Sequence, residues 1–288
     1  MNTFNPEDQP SPPRRSEPRH AHPLQRQRST DPLADARGSI TVYGRRSVLE
    51  ALDAPQVKVL GVRVGKELPG EFRERMSRRC RETDTPLEFM SLREIGAFTG
   101  DARNDQGVAA RIRLTAAVEV EDFLPTVKGQ GSREPAHVLA LDGVTNPQNV
   151  GMIVRSAVAA DFRAILWPTA GCPWVDALIV KSSAGTVYRC PIVRCHTLEE
   201  GLMTMQQSGF KLFGLEMTGG SSLFECEPSH RSVVIVGGET SGLSPGVREL
   251  LDERVSIPMA HGVESLNAAV AASLLCFEFA RRRASART

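Results

Sequence analysis

Three short stretches hold the side chains whose types and spacing can do chemistry. Asn149-Val-Gly-Met-Ile-Val-Arg155 offers an amide and a guanidinium within two helical turns. Gly237-Gly-Glu-Thr-Ser-Gly-Leu243 sets the carboxylate of Glu239 among glycines, and Ile257-Pro-Met-Ala-His-Gly-Val-Glu-Ser-Leu-Asn267 runs from an apolar wall to a hydroxyl and an amide. The first two follow the apolar runs Val138 to Leu141 and Val233 to Val236, and the third follows a shorter one. In open α/β sheets ligands sit beyond the carboxyl ends of strands, so three strand-end loops should converge on one site. No G-x-G-x-x-G follows a strand and no G-x-x-x-x-G-K-[ST] occurs, so the usual dinucleotide and nucleoside-triphosphate readings lack their glycines and lysine. A different nucleotide-like ligand is left open.

Each residue also has a local reading. Asn149 and Ser265 are helix N-cap types, Glu239 suits an exposed turn, and His261 suits loop packing or the rim of a site.

Together the stretches carry a resemblance. N-x-G-x-x-x-R at Asn149, Gly151 and Arg155, G-x-E-x-x-G-L at Gly237, Glu239, Gly242 and Leu243, and I-P-M at Ile257, Pro258 and Met259 followed by Ser265, Leu266 and Asn267 resemble the motifs of SpoU/TrmH-type RNA 2′-O-ribose methyltransferases of the SPOUT class. The resemblance implies an α/β catalytic domain with a parallel sheet and a trefoil knot, S-adenosylmethionine as cofactor, and a homodimer packed knot against knot. It implies donor contacts at Gly237, Ile257 and Leu266, with Met259 as a further wall. It implies catalysis by Arg155, with Asn149, Glu239, Ser265 and Asn267 positioning it and the nucleotide. Guanidinium loses its proton only above a pKa of ~12, so two roles stand for Arg155: a base whose pKa the site lowers, or a fixed charge that stabilises the developing alkoxide. The implied substrate is rRNA, with tRNA as the alternative; a non-catalytic RNA-binding protein on the same fold is the rival reading.

The elements that must position these residues are legible around them. Residues 1–38 carry seven prolines and six arginines with few large apolar side chains, and read as a disordered tail. Residues 39–115 alternate helical and strand patterns, a small α/β domain similar to the substrate (RNA) binding domain of rRNA-directed SpoU enzymes, by Gly44 before Val48-Leu49-Glu50-Ala51-Leu52 and by Gln106-Gly107-Val108-Ala109. Asp105 stands where that family commonly has histidine. Arg73, Arg75, Arg78, Arg79 and Arg81 form the domain's charge cluster, interleaved with Glu71, Glu74 and Glu82. Residues 116–135, with Pro125, Gly129, Gly131 and Pro135, read as a linker.

The catalytic domain takes 136–288, with strands expected at 137–141, 164–167, 211–215, 233–236 and 255–257. A last helix is expected from about Ser265 to Arg281, with Leu266, Val270, Leu274 and Phe277 on one face.

Composition narrows the classes further. The 288 residues hold 35 Lys and Arg against 34 Asp and Glu, a net charge of +1, so an RNA partner must be argued from sites rather than bulk charge. Cys80, Cys172, Cys190, Cys195, Cys226 and Cys276 include no C-x-x-C pair and read as free thiols in a reducing cytoplasm. The histidines are scattered, so no metal site is expected, and no apolar run approaches the ~20 residues of a membrane span. Deleting residues 1–38 is expected to leave the melting temperature within a degree or two by calorimetry, because such a tail contributes no core.

Overall fold

The computed structural model describes residues 39–115, 117–128, 135–217 and 219–285. The arginine-rich tail expected over 1–38 lies outside them.

The first sheet is built from β1 (Ile40–Tyr43), β2 (Val57–Gly65), β3 (Leu87–Met90) and β4 (Val108–Leu114), with helices α1 (Arg45–Asp53), α2 (Gly70–Glu82) and α3 (Leu92–Thr99) between them. The strand order is β1-β4-β2-β3, with β4 antiparallel to both its neighbours. β1 has only four residues, just after the polar tail, and gains its identity from pairing with β4 rather than from its own pattern.

The second sheet holds eight strands, all in parallel pairs. In chain order the elements are β5 (Ala117–Glu119), α4 (Val120–Lys128), β6 (Ala136–Asp142), α5 (Pro147–Ala159), β7 (Ala164–Pro168), α6 (Ala177–Ser182), β8 (Ile192–Cys195), α7 (Leu198–Gln207), β9 (Lys211–Glu216), β10 (Ser221–Ser222), β11 (Arg231–Gly237), α8 (Pro245–Leu250), β12 (Glu253–Ser256) and α9 (Ala268–Ser285). The spatial order is β10-β12-β9-β11-β6-β7-β8-β5.

Side chains alternate across this sheet with the period of two that a strand imposes. Leu139, Leu141, Ile165, Trp167, Val234 and Val236 face α5, α6 and α9, whereas Val138, Ala140, Leu166, Val233 and Ile235 face α4, α7 and α8. The result is three layers with both sheet faces covered, as an all-parallel sheet requires.

Two stretches differ from their sequence reading. The expected linker over 116–135 instead holds β5, which pairs with β8, and α4, which buries Val120, Phe123, Leu124 and Val127. Those four are spaced i, i+3, i+4 and i+7, one helical face, and Pro125 is accommodated inside the helix. The last helix begins at Ala268 rather than Ser265. Its core side is Ala269, Ala272, Leu275, Cys276 and Phe279, which leaves Val270, Leu274 and Phe277 exposed.

The motif glycine Gly151 marks where α5 meets α6. A Cβ there would lie 2.7 Å from the Ile179 carbonyl oxygen and 2.9 Å from the Ser183 amide nitrogen, and would also overlap the Ser182 hydroxyl. Helix α9 runs parallel to α5, linked by Asn267 to Asn149 at the start, by the Ser156 and Ser273 hydroxyls at 2.7 Å midway, and by Arg283 to the Asp161 carbonyl at 3.1 Å near the end.

Beneath the far end of α9, His137 is 1% exposed between Phe162 and Phe279, with no partner for Nδ1. Burial, reinforced by the nearby Arg283 charge, pushes its pKa down to about 4. A base whose folded pKa is depressed keeps its full stability above its unfolded pKa near 6.5 and loses it as the unfolded state takes up protons at lower pH. Between pH 7 and pH 4 the wild type should therefore lose on the order of 3 kcal/mol through this group. His137→Phe should flatten that part of the profile in urea melts followed across the same range.

Among the described residues no helix is long and apolar enough to cross a membrane. No group of three or more His, Cys, Asp or Glu side chains among them is placed to hold a metal ion.

Candidate active site

The carboxyl ends of β9, β11 and β12 open into a cleft. Its apolar walls are Leu215, Val236, Leu243, Ile257, Met259 and Leu266, and its polar groups include Glu216, Glu239, Arg248, Glu264 and Ser265.

The second motif forms a loop folded onto its own strand. Gly242 adopts φ +63°, and the backbone of Gly238 bridges to that of Gly242. A Cβ on Gly237 would lie 2.6 Å from the Leu243 amide nitrogen and inside the Gly242 carbonyl, so the glycine is required by the returning chain before any ligand is considered. The loop is held from the next strand as well: the amide of Ser244 donates to Asp142 at the end of β6, at 2.6 Å. Burial raises the pKa of Asp142, and that hydrogen bond acts in the opposite direction.

Three expected site residues meet through their side chains. The Asn149 amide nitrogen donates to Glu239 Oε1, and Asn267 Nδ2 donates to the same oxygen at 2.7 Å and to Asn149 Oδ1 at 3.3 Å. Asn267 Oδ1 accepts from the amides of Ala269 at 2.9 Å and Val270 at 3.4 Å, which caps α9. The caps of the two helices are thus Asn146 for α5 and Asn267 for α9, not Asn149 and Ser265. Asn149 is buried inside the first turn of α5 and spends its amide on Glu239.

Gly237, Glu239, Ile257, Met259, Ser265 and Leu266 all line the cleft. Arg155 does not. It is exposed on α5, as is Met152 one turn before it, and α9, which packs along α5, leaves Val270, Leu274 and Phe277 exposed. His261 is an exposed loop residue with φ +55° and does not line the cleft. Sequence reasoning missed Glu216, which ends β9 as a single acid after an apolar run, and Arg248, an ordinary helix cation by type and position.

The arrangement holds a carboxylate and two amides at one end of an apolar cleft. It is suited to orienting a ligand that offers hydroxyl or amine donors beside a flat apolar group.

In the first domain, Asp105 is buried and accepts from the Gly107 amide at 2.8 Å and the Thr99 hydroxyl at 3.0 Å. It braces a turn in which Gln106 and Gly107 take φ +54° and +72°, and Gln106 Oε1 accepts from the Arg45 amide at the start of α1. Within the α2 cluster, Arg79 is committed to Asp53 and Glu82, while Arg75, Arg78 and Arg81 are exposed.

Losing the Asn267 side chain removes both a cap and the bridge to Glu239. Asn267→Ala is therefore expected to cost about 1–2 kcal/mol in denaturant melts, whereas Ser265→Ala, outside the bridge, should stay within roughly 0.5 kcal/mol.

Comparison with known proteins gives the following. Residues 136–277 match the family model described as SpoU rRNA Methylase family, and residues 41–115 match RNA 2′-O ribose methyltransferase substrate binding. An uncharacterized tRNA/rRNA methyltransferase of Mycobacterium avium is 34% identical over 278 residues, covering 95% of this chain and 88% of that one. One of Mycobacterium tuberculosis strain H37Rv is 34% identical over 276 residues, covering 95% and 84%. The crystal structure of the SpoU methyltransferase AviRb from Streptomyces viridochromogenes, in complex with the cofactor AdoMet, superposes with a TM-score of 0.72 at 27% identity over 86% of this chain and 91% of that one.

Proposed function

The chain belongs to the SpoU family of RNA methyltransferases, and from that membership we propose that it transfers the methyl group of S-adenosylmethionine to a ribose 2′-hydroxyl of RNA. The observation that carries the proposal is the cleft, where six of the expected site residues line one apolar pocket and Glu239 ties Asn149 and Asn267 to its edge. The pocket fits the donor chemically: apolar side chains suit a flat adenine, and loop backbone and acceptor groups suit the ribose and the methionine tail. When bound, the donor supplies a methyl group already activated by a sulfonium. The chain's own task is then to align the acceptor and handle a weakly acidic hydroxyl.

Ribosomal RNA is the proposed substrate, which places the reaction in the cytoplasm, and transfer RNA is the second reading. The matched substrate-binding domain and the rRNA methylase family match support the first. In the same proposal the chain from β11 to α9 is threaded as a trefoil knot, and residues 41–115 grip RNA.

Arg155 completes the site from a second copy of the chain. In a single chain it stands outside the cleft, on a helix pair whose exposed face carries Met152, Val270, Leu274 and Phe277, 41 to 53% exposed. Large apolar side chains grouped in this way favour burial against another molecule. A homodimer through α5 and α9 brings Arg155 to the partner's cleft, where a fixed guanidinium stabilises the developing alkoxide.

Labelled S-adenosylmethionine and total RNA, with 2′-O-methyl positions mapped afterwards, test the reaction itself. Arg155→Ala should bind donor within a few-fold of wild type and lose methylation by orders of magnitude, while Leu266→Arg should lose donor binding. Mixing the two inactive variants should restore activity, because one of the two clefts in the mixed dimer then has an intact pocket and an intact arginine. A mixture that stays inactive while forming mixed dimers would place Arg155 in its own subunit's chemistry. A chain that binds RNA but no donor would leave the non-catalytic reading.

A further inference from the structure

The polar end of the cleft farther from Asn149 is not accounted for by the family motifs. Glu216 ends β9, its side chain is 10% exposed, and it lines the cleft together with Arg248. Its Oε1 lies 2.6 Å from Arg248 Nε, whereas among the described residues the cation nearest its Oε2 is Arg254, with Nε at 3.7 Å, beyond hydrogen-bond reach. A carboxylate oxygen that already faces a guanidinium serves as a hydrogen-bond acceptor. One of its oxygens is therefore left with acceptor capacity beside the apolar wall of Leu215 and Ile257.

Strand order fixes which part of a ligand this oxygen meets. Across the sheet the strands run β12-β9-β11-β6. Asn149 follows β6 on one side of β11, and Glu216 ends β9 on the other, so the two lie on opposite sides of β11, about 10 Å apart at ~4.8 Å per strand. Under the donor reading proposed above, on which this inference rests, the reacting methyl belongs at the Asn149–Glu239–Asn267 end. The remote end then takes the nucleoside. Adenine finds its flat apolar surroundings in Leu215, Val236, Ile257 and Leu266, and the nucleoside donors that a carboxylate oxygen beside them can satisfy are the exocyclic amine and the sugar hydroxyls, which the deoxy compounds below tell apart.

We propose that Glu216, held in place by Arg248, accepts a hydrogen bond from the ribose hydroxyls of the donor nucleoside and so selects a ribose over a deoxyribose at that position. It is a specificity-determining residue for the donor. Arg248 is the positioning residue: its guanidinium packs beside Gly242 of the second motif loop, so the pair also fixes that loop against β9.

The test is calorimetric titration of the full chain with S-adenosylhomocysteine and with its 2′-deoxy and 3′-deoxy counterparts. A hydrogen bond to a charged group implies that wild type binds at least one deoxy compound roughly ten- to a hundredfold more weakly. Glu216→Gln should lose most of that discrimination while its affinity for the deoxy compound stays near the wild-type value. Equal binding of all three compounds by wild type overturns the proposal without recourse to any variant. So does a folded Glu216→Gln, checked by its melting curve, that still discriminates as wild type does. A wild-type chain that binds none of the three overturns the donor reading as well, which separates that failure from the others.

Discussion

One carboxylate oxygen links the three loops on which the site depends. Glu239 Oε1 accepts from Asn149, which follows β6, and from Asn267, which opens α9, while Glu239 itself belongs to the loop after β11. Two amides on one acceptor oxygen leave little freedom in the relative positions of these segments, and the cap on α9 is set by the same asparagine. The sheet brings the loops within reach, and this shared acceptor fixes how they meet.

Backbone approach does the rest. The second motif is narrow because its glycines let Gly242 and Leu243 lie against Gly237, and the first because Gly151 lets α5 lie on the carbonyl of Ile179. These are packing requirements that also produce a cleft with exposed main chain. A glycine in such a motif therefore does two things at once, and its presence alone does not tell which a ligand uses.

Most of the fold was legible because the parallel strands are apolar runs and the motifs stand at their ends. The strands expected at 164–167 and 211–215 fall within β7 and β9 to within a residue at each end. What escaped were elements whose identity comes from partners: β1 beside β4, β8 in a short run after Pro191, and β5 with α4, where prolines and glycines masked the spacing of Val120, Phe123, Leu124 and Val127. In the site, residue types identified Glu239 and Asn267, but not that Asn267 caps α9, nor that Glu216 and Arg248 face the same cleft from different elements. Arg155 stands out in the sequence by type and spacing, yet no sequence pattern places it on the outer face of α5.

Helix α6 has a second consequence beyond seating α5. On one side Ser182 stands where a Cβ of Gly151 would fall, and just beyond the helix Gly185 stands against Glu50 of the first domain, with α6 itself packed along β1. The segment 177–185 is thus a common wall, one layer thick, between the RNA-binding half and the helix that carries Asn149 and Arg155. Any displacement of the first domain that α6 follows is transmitted to α5 without passing through the sheet. In the proposed function, this wall couples the grip on RNA to the alignment of the reacting groups without the sheet between them.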